Sequence, residues 1–287
     1  MIDFRYHALS IVAVFLALAI GFLLGATVGD SLVSSADRGL RSSLRADLQD
    51  SRTETGDLRE QVDRRDRLIA GVLPELAQDR LSRQRVAIVA SGTLPDDVEA
   101  PAREAVEVAR GTVDSVSVLD ATEDVPALAA AEGGRRPADH DQLRALGRRV
   151  GRELALGRPA RPLERALPDR IRGDLAGADA VVFYRTPDER SERTEEQQER
   201  DRDREALEQG LVDGLTELEL PLVGVEASET DPSDIPWYRG RDLTTVDSVN
   251  TPAGQLALVY ALDGAEGQFG LKDTAERPLP DLSELGG

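Results

Sequence analysis

Residues 8–28 form a run of 21 positions without a charged side chain. As a helix rising about 1.5 Å per residue, such a run spans the roughly 30 Å hydrocarbon layer of a bilayer. A secretory signal is the competing reading, since Arg5 gives a positive flank and Ala17-Leu18-Ala19 resembles a small-residue cleavage site. Signal cores run to about 7–15 apolar residues, and this stretch continues well beyond Ala19. A retained transmembrane anchor over residues 1–30 is therefore expected.

Within that helix Ala13, Ala17, Gly21, Gly25 and Gly29 recur every fourth residue and share one slowly winding stripe. Lipid gives no net apolar drive between helices, so close approach over small residues is a favoured way to pack them, and two overlapping GxxxG motifs lie here. The stripe reads as a helix-packing face. Orientation is less constrained: Arg5 precedes the helix, while Arg38, Arg41 and Arg45 follow it among Asp30, Asp37 and Asp47. Charge counting leans only slightly to a cytoplasmic C-terminal part.

Residues 31–82 read as a coiled-coil stalk. Leu44, Leu48, Leu58, Val62, Ile69, Val72 and Leu76 follow the alternating four-three spacing of a heptad seam, with Ser51, Thr55 and Arg65 as its polar interruptions. Pro74 marks the expected end of regular helix. A single amphipathic helix lying on the next domain is the alternative. If stripe and seam both pair, the protein is a parallel homodimer or a higher homo-oligomer.

Residues 83–272 read as a soluble α/β domain. The apolar run 85–90 is a buried strand closed by Ser91-Gly92, and further strands are expected at 113–119, 180–184 and 222–225. Helical stretches fall at 97–110, 141–156, 195–219 and 252–262. Strands alternating with helices predict a mainly parallel sheet flanked by helices. The charged stretch 188–205 reads as a solvated loop running into a helix. Residues 273–287, with Pro278, Pro280 and a terminal Gly pair, read as a flexible tail.

The inventory of reactive side chains is thin. There is no Cys, the one Met is Met1, and the histidines are His7 and His140. His140, between Asp139 and Asp141 at an expected helix start, fits a capping environment better than a metal or acid–base cluster. Ser91-Gly92-Thr93-Leu94-Pro95 lacks both the dinucleotide-binding and the P-loop glycine patterns, although backbone amides there could still hold an anion. No nucleophile elbow or zinc-protease motif occurs. No catalytic residue, resident metal or cofactor is therefore expected, and the formal charge of −19 disfavours nucleic acid as a partner.

The opening Asp3-Phe4-Arg5-Tyr6-His7, then Ser10, the apolar 13–19 stretch, Gly21 and Gly25, resembles the start of the mycobacterial copper transport protein B (MctB) family. The segment Asp247-Ser248-Val249-Asn250-Thr251-Pro252-Ala253-Gly254-Gln255 is similar to that family's C-terminal region. The resemblance implies an actinobacterial cell-envelope protein with an extracytoplasmic domain, linked to copper export or homeostasis and proposed to act as a channel, with copper as a transported ion. Two physical points strain that picture. Copper(I) prefers thiolate and thioether ligands, but Cys is absent and the one Met is Met1, and one helix cannot enclose a pore. A non-transporting envelope scaffold that binds a cell-wall or cell-division partner is the alternative.

Overall fold

The computed structural model describes residues 4–281 apart from 121–122, 132–136, 138, 157–160, 174–176 and 189–193. The chain divides into two units, residues 1–64 and 65–287.

The first unit is helical. Helix α1 (Phe4–Ala77) begins here and contains an apolar stretch, His7–Gly25, that is long and apolar enough to cross a membrane. Every side chain in that stretch is exposed. Farther along, Leu44, Leu48, Leu58 and Val62 are also exposed, at 51–57%. These four are positions of the seam read from the sequence.

The second unit is the expected α/β domain. Among the described residues its seven strands are β1 (Arg85–Ser91), β2 (Thr112–Leu119), β3 (Ile171–Gly173), β4 (Ala180–Arg185), β5 (Leu222–Val225), β6 (Thr244–Val246) and β7 (Gln268–Phe269). They line up in the order β3-β2-β1-β4-β5-β6-β7. All neighbours run parallel except β3, which is antiparallel to β2. Helices α2 (Asp96–Val108), α3 (Val125–Ala131), α4 (His140–Leu156), α5 (Arg161–Ala166), α6 (Glu195–Thr216), α7 (Ile235–Arg239) and α8 (Pro252–Leu262) connect them.

Both faces of the sheet are buried, which is why its central strands are apolar without interruption. Val86, Ile88 and Ala90 of β1 face one core with Val98 and Val106 of α2 and most of α8. Ala87 and Val89 face a second core with Val150 and Leu154 of α4 and Leu207 and Leu211 of α6. The end of α1 belongs to the first core: Leu73 and Ala77 are buried, Leu81 follows them in, and the Tyr260 hydroxyl donates to the Leu76 carbonyl at 3.1 Å. The helix runs past Pro74 to Ala77. Proline removes one backbone donor, but burial of Leu73 and Ala77 on either side holds the last turn. Here the buried side chains lie one position on from the seam residues Val72 and Leu76, which are exposed, while Ile69 is half-buried.

In the stretch read as a tail, Phe269 bridges Arg277 and Leu279 packs on the first core.

Helices α4 and α6 touch backbone to backbone. A Cβ at Gly147 or Gly151 would overlap the Leu207 or Leu211 carbonyl, and one at Gly210 or Gly214 would overlap the carbonyls of Arg144 or Arg148. Beside this seam Asp213 accepts from Arg144 at 2.7 Å and from Arg148 at 3.0 Å. Partial burial opposes ionisation of Asp213, yet those two guanidiniums hold its carboxyl below the usual range.

Candidate functional site

In an open parallel sheet, ligands bind at the carboxyl ends of the strands where the winding direction reverses. That point lies here between β1 and β4, since the chain leaves β1 for β2 on one side and later resumes with β4 on the other. The crevice is filled by the protein's own groups. Gly92, at φ 92°, takes a conformation L side chains rarely adopt, and a Cβ would run into Thr186. The Gly92 N–H donates to the Leu119 carbonyl at 2.8 Å, and the Thr93 N–H to Thr186 Oγ1 at 2.8 Å. These two amides are thus engaged, and the first turn of α2 adds Asp96, Asp97 and Glu99. Like charge there repels phosphate, so the geometry gives no support to a bound nucleotide.

Beneath this loop lies a buried ionic network centred on Arg185, the last residue of β4 and only 3% exposed. Its Nε donates to Glu208 of α6 at 2.7 Å, one terminal nitrogen to Asp234 at 2.7 Å and the other to Asp188 at 2.8 Å. Glu208 is fully buried and also accepts from Ser91 Oγ at 2.7 Å. The Arg185 backbone N–H donates to the Tyr238 hydroxyl at 2.9 Å. Trp237 stands 5.1 Å from the guanidinium, carries Arg241 3.7 Å over its own ring and donates to Glu205 at 2.9 Å. Arg241 in turn pairs with Glu205, and Arg204 with Asp188.

The energetics follow from burial. Desolvation opposes the charge on Arg185, but Glu208 and Asp234 outweigh it and its pKa rises. Desolvation dominates at Asp234, whose carboxyl is pushed up to about 6 despite the adjacent Arg185, and whose Oδ2 has no hydrogen-bond partner among the described residues. Burial, with Asp234 and Asp97 adding to it, lifts the Tyr184 hydroxyl to about 12.

Polar residues continue along the same edge. Glu226, just past β5, accepts from Ser233 Oγ at 2.8 Å, from the Asp234 N–H at 2.7 Å and from Lys272 Nζ at 2.7 Å. Asp247, just past β6, accepts from the Leu271 N–H at 2.7 Å and from Ser248 Oγ at 2.8 Å. The segment 247–255 is therefore a structural junction. Thr251 caps α8 by accepting from the Gly254 N–H at 3.1 Å, and Gln255 Nε2 donates to the Pro101 carbonyl of α2 at 3.3 Å. Among the described residues this edge is wired by ion pairs. A cavity of about 760 Å³ opens at the amino ends of β5, β6 and β7, lined by Leu222, Thr244 and Gln268 with Glu219, Asp242 and Arg239.

Of the other residues singled out in the sequence, those of α1 up to Val62 belong to the first unit. Ala13, Ala17, Gly21 and Gly25 lie on α1 with exposed surroundings, and nothing stands within 4 Å of a Cβ at either glycine. Asp3 lies outside the described residues, as do the side chains of Phe4, Arg5 and Tyr6 and the surroundings of Gly29; His7 is exposed. His140 is the first residue of α4, and Asp139 supplies the cap, its Oδ1 accepting from the Gln142 N–H at 2.9 Å. The imidazole, 46% exposed, faces Asp203 at 3.3 Å and Glu199 at 3.6 Å. Sequence reading missed both that meeting and the Arg185 network. The available signal was an arginine closing the apolar run 180–184 and a glutamate beside Leu207 on the apolar face of α6.

A family model described as "Copper transport outer membrane protein, MctB" matches residues 1–280. No curated protein matches the chain.

Proposed function

Because this chain belongs to the MctB family and is thus an envelope protein related to copper transport, we propose that it is a single-pass membrane protein serving copper export or copper homeostasis. The observation that carries the reading is the family match over nearly the whole chain, joined to one apolar helix of membrane-spanning length. The anchor lies in the cell membrane, the α/β domain is extracytoplasmic, and the protein is not an enzyme. The stripe Ala13, Ala17, Gly21, Gly25 and Gly29 and the seam beyond it pair two or more copies in parallel. One apolar helix cannot enclose a conduit, so any conduction requires several copies. The seven-stranded sheet is covered by helices on both faces, which suits a water-facing domain and not a barrel wall in lipid.

A second reading has its own support. Among the described residues the carboxyl edge of the sheet is tied together by buried ion pairs around Arg185, which suits a scaffold whose α/β domain engages another envelope protein. One experiment separates the two: copper content and cell shape of a deletion strain, complemented with the full chain or with its anchor replaced by an unrelated transmembrane helix. Copper accumulation reversed by the full chain is expected under the first reading. Normal copper with a wall or septal defect supports the second. Rescue by the anchor-swapped chain rules out a conduit built from this helix.

A further inference from the structure

We propose that His140, Glu199 and Asp203 form a surface site for a divalent transition-metal ion, with cupric copper its strongest ligand. The choice of ion rests on the copper reading above; the site itself rests on geometry. The three residues come from two helices, and one donor atom from each lies within 4.8 Å of the others. His140 Nε2 stands 3.3 Å from Asp203 Oδ1 and 3.6 Å from Glu199 Oε1. Donors held about 2.1 Å from one ion stand about 3 Å apart when adjacent and about 4.2 Å when opposite. Small side-chain rotations would bring the three onto one ion.

The framework that presents them is rigid. Glu199 and Asp203 are four apart and share a face of α6. The glycines 147, 151, 210 and 214 hold α4 and α6 in backbone contact and so fix where His140 meets that face. One imidazole nitrogen and two carboxylates neutralise a divalent charge and leave coordination positions for water. Nitrogen and oxygen donors suit Cu(II), which also heads the affinity order of the divalent first-row ions. The same set is a poor match for Cu(I), so the site would hold the oxidised ion. Arg202 contacts the other oxygen of Glu199 at 3.3 Å and leaves Oε1 facing the imidazole.

The chain has two histidines, which makes the test spectroscopically clean. Full-length protein in detergent micelles is dialysed against cupric chloride with excess Mg²⁺ to suppress loose carboxylate binding, then examined by electron paramagnetic resonance. The expected result is one tightly held Cu²⁺ per chain with coupling to an imidazole nitrogen, retained in His7→Gln. His140→Gln should lose that coupling and bind at least tenfold more weakly. Glu199→Gln/Asp203→Asn should also bind at least tenfold more weakly. Far-UV circular dichroism checks that each variant stays folded; these side chains are solvent-accessible. Unchanged affinity and nitrogen coupling in His140→Gln would overturn the site, whatever the deletion strain does. Loss of binding in the variants, in a strain whose deletion leaves copper content normal, would uphold the site and count against the copper-handling role.

Discussion

Arg185 is the side chain on which the carboxyl edge of the sheet depends. Breaking a buried ion pair from one side costs about 3–5 kcal/mol, because the partner left behind remains buried and charged. Arg185→Met strands Glu208, which is fully buried, together with Asp234. It should therefore lower unfolding free energy by about that amount, and adding Glu208→Leu should recover a good part of it. Urea unfolding followed by Trp237, the single tryptophan and a neighbour of the guanidinium, reads both changes. Asp234 gives a pH signature of opposite sense to most carboxylates. Burial pushes its carboxyl up to about 6, above the ordinary aspartate value, so the folded state binds the proton more tightly than the unfolded chain. Stability from this group is fully present below about pH 4 and is lost as pH rises through 6, by at most about 3 kcal/mol. Asp234→Asn should flatten that slope in unfolding curves taken between pH 4 and 7; an unaltered slope would show that other groups set it. Little of this was legible from sequence, where Arg185, Glu208 and Asp234 are far apart and only the arginine closing the apolar run 180–184 and the glutamate beside Leu207 hint at burial.

Helices and strands that repeat a strong local pattern were legible. The strand at 222–225 and the helix at 252–262 fall where periodicity places them, and helix α6 begins as expected because Thr194 and Gln197 cap each other reciprocally. Elements missed by that reading are short: β3 and β6 have three residues each, β7 two, α7 five, α5 six and α3 seven. Such pieces carry too few residues for a period to show and are held by their neighbours in the sheet. Helix pairing is different again, because the sequence displays Gly147, Gly151, Gly210 and Gly214 without showing that they face one another. Their role predicts opposite effects for the same chemical change at two places. Gly210→Ala puts a methyl against the Arg144 carbonyl and should destabilise by about 1–3 kcal/mol as the helices separate. Gly71→Ala in α1 meets nothing within 4 Å and should stabilise by about 0.5–1 kcal/mol through helix propensity alone. Thermal or urea unfolding of the two variants side by side checks the sign.

Across the whole chain, the seam pattern and the start of the folded domain overlap. The heptad reading carries residues 31–82 as stalk, whereas the compact second unit begins at 65 and takes Leu73, Ala77 and Leu81 into its core. The two readings share α1 because a helix has several faces: Val72 and Leu76 stay exposed while Leu73 and Ala77, one position on, are buried. Periodicity alone cannot tell a partner helix from a domain surface as the thing that covers an apolar stripe. This overlap has a measurable consequence for where the domain can be cut. Beyond the apolar side chains, Arg80 pairs with Asp263 at 3.2 Å and lies 4.6 Å over the Tyr260 ring, and the Leu81 N–H donates to the Ala109 carbonyl at 3.0 Å. A fragment of residues 65–287 keeps all of these contacts. One that begins at 83 uncovers parts of α2 and α8 and loses the burial of two leucines and an alanine, each leucine worth about 1.5–3 kcal/mol. The shorter fragment should therefore unfold at least about 3 kcal/mol more easily in urea and expose apolar surface to a hydrophobic dye. Equal midpoints for the two fragments would mean that the end of α1 is a linker and that the folded domain begins at its first strand.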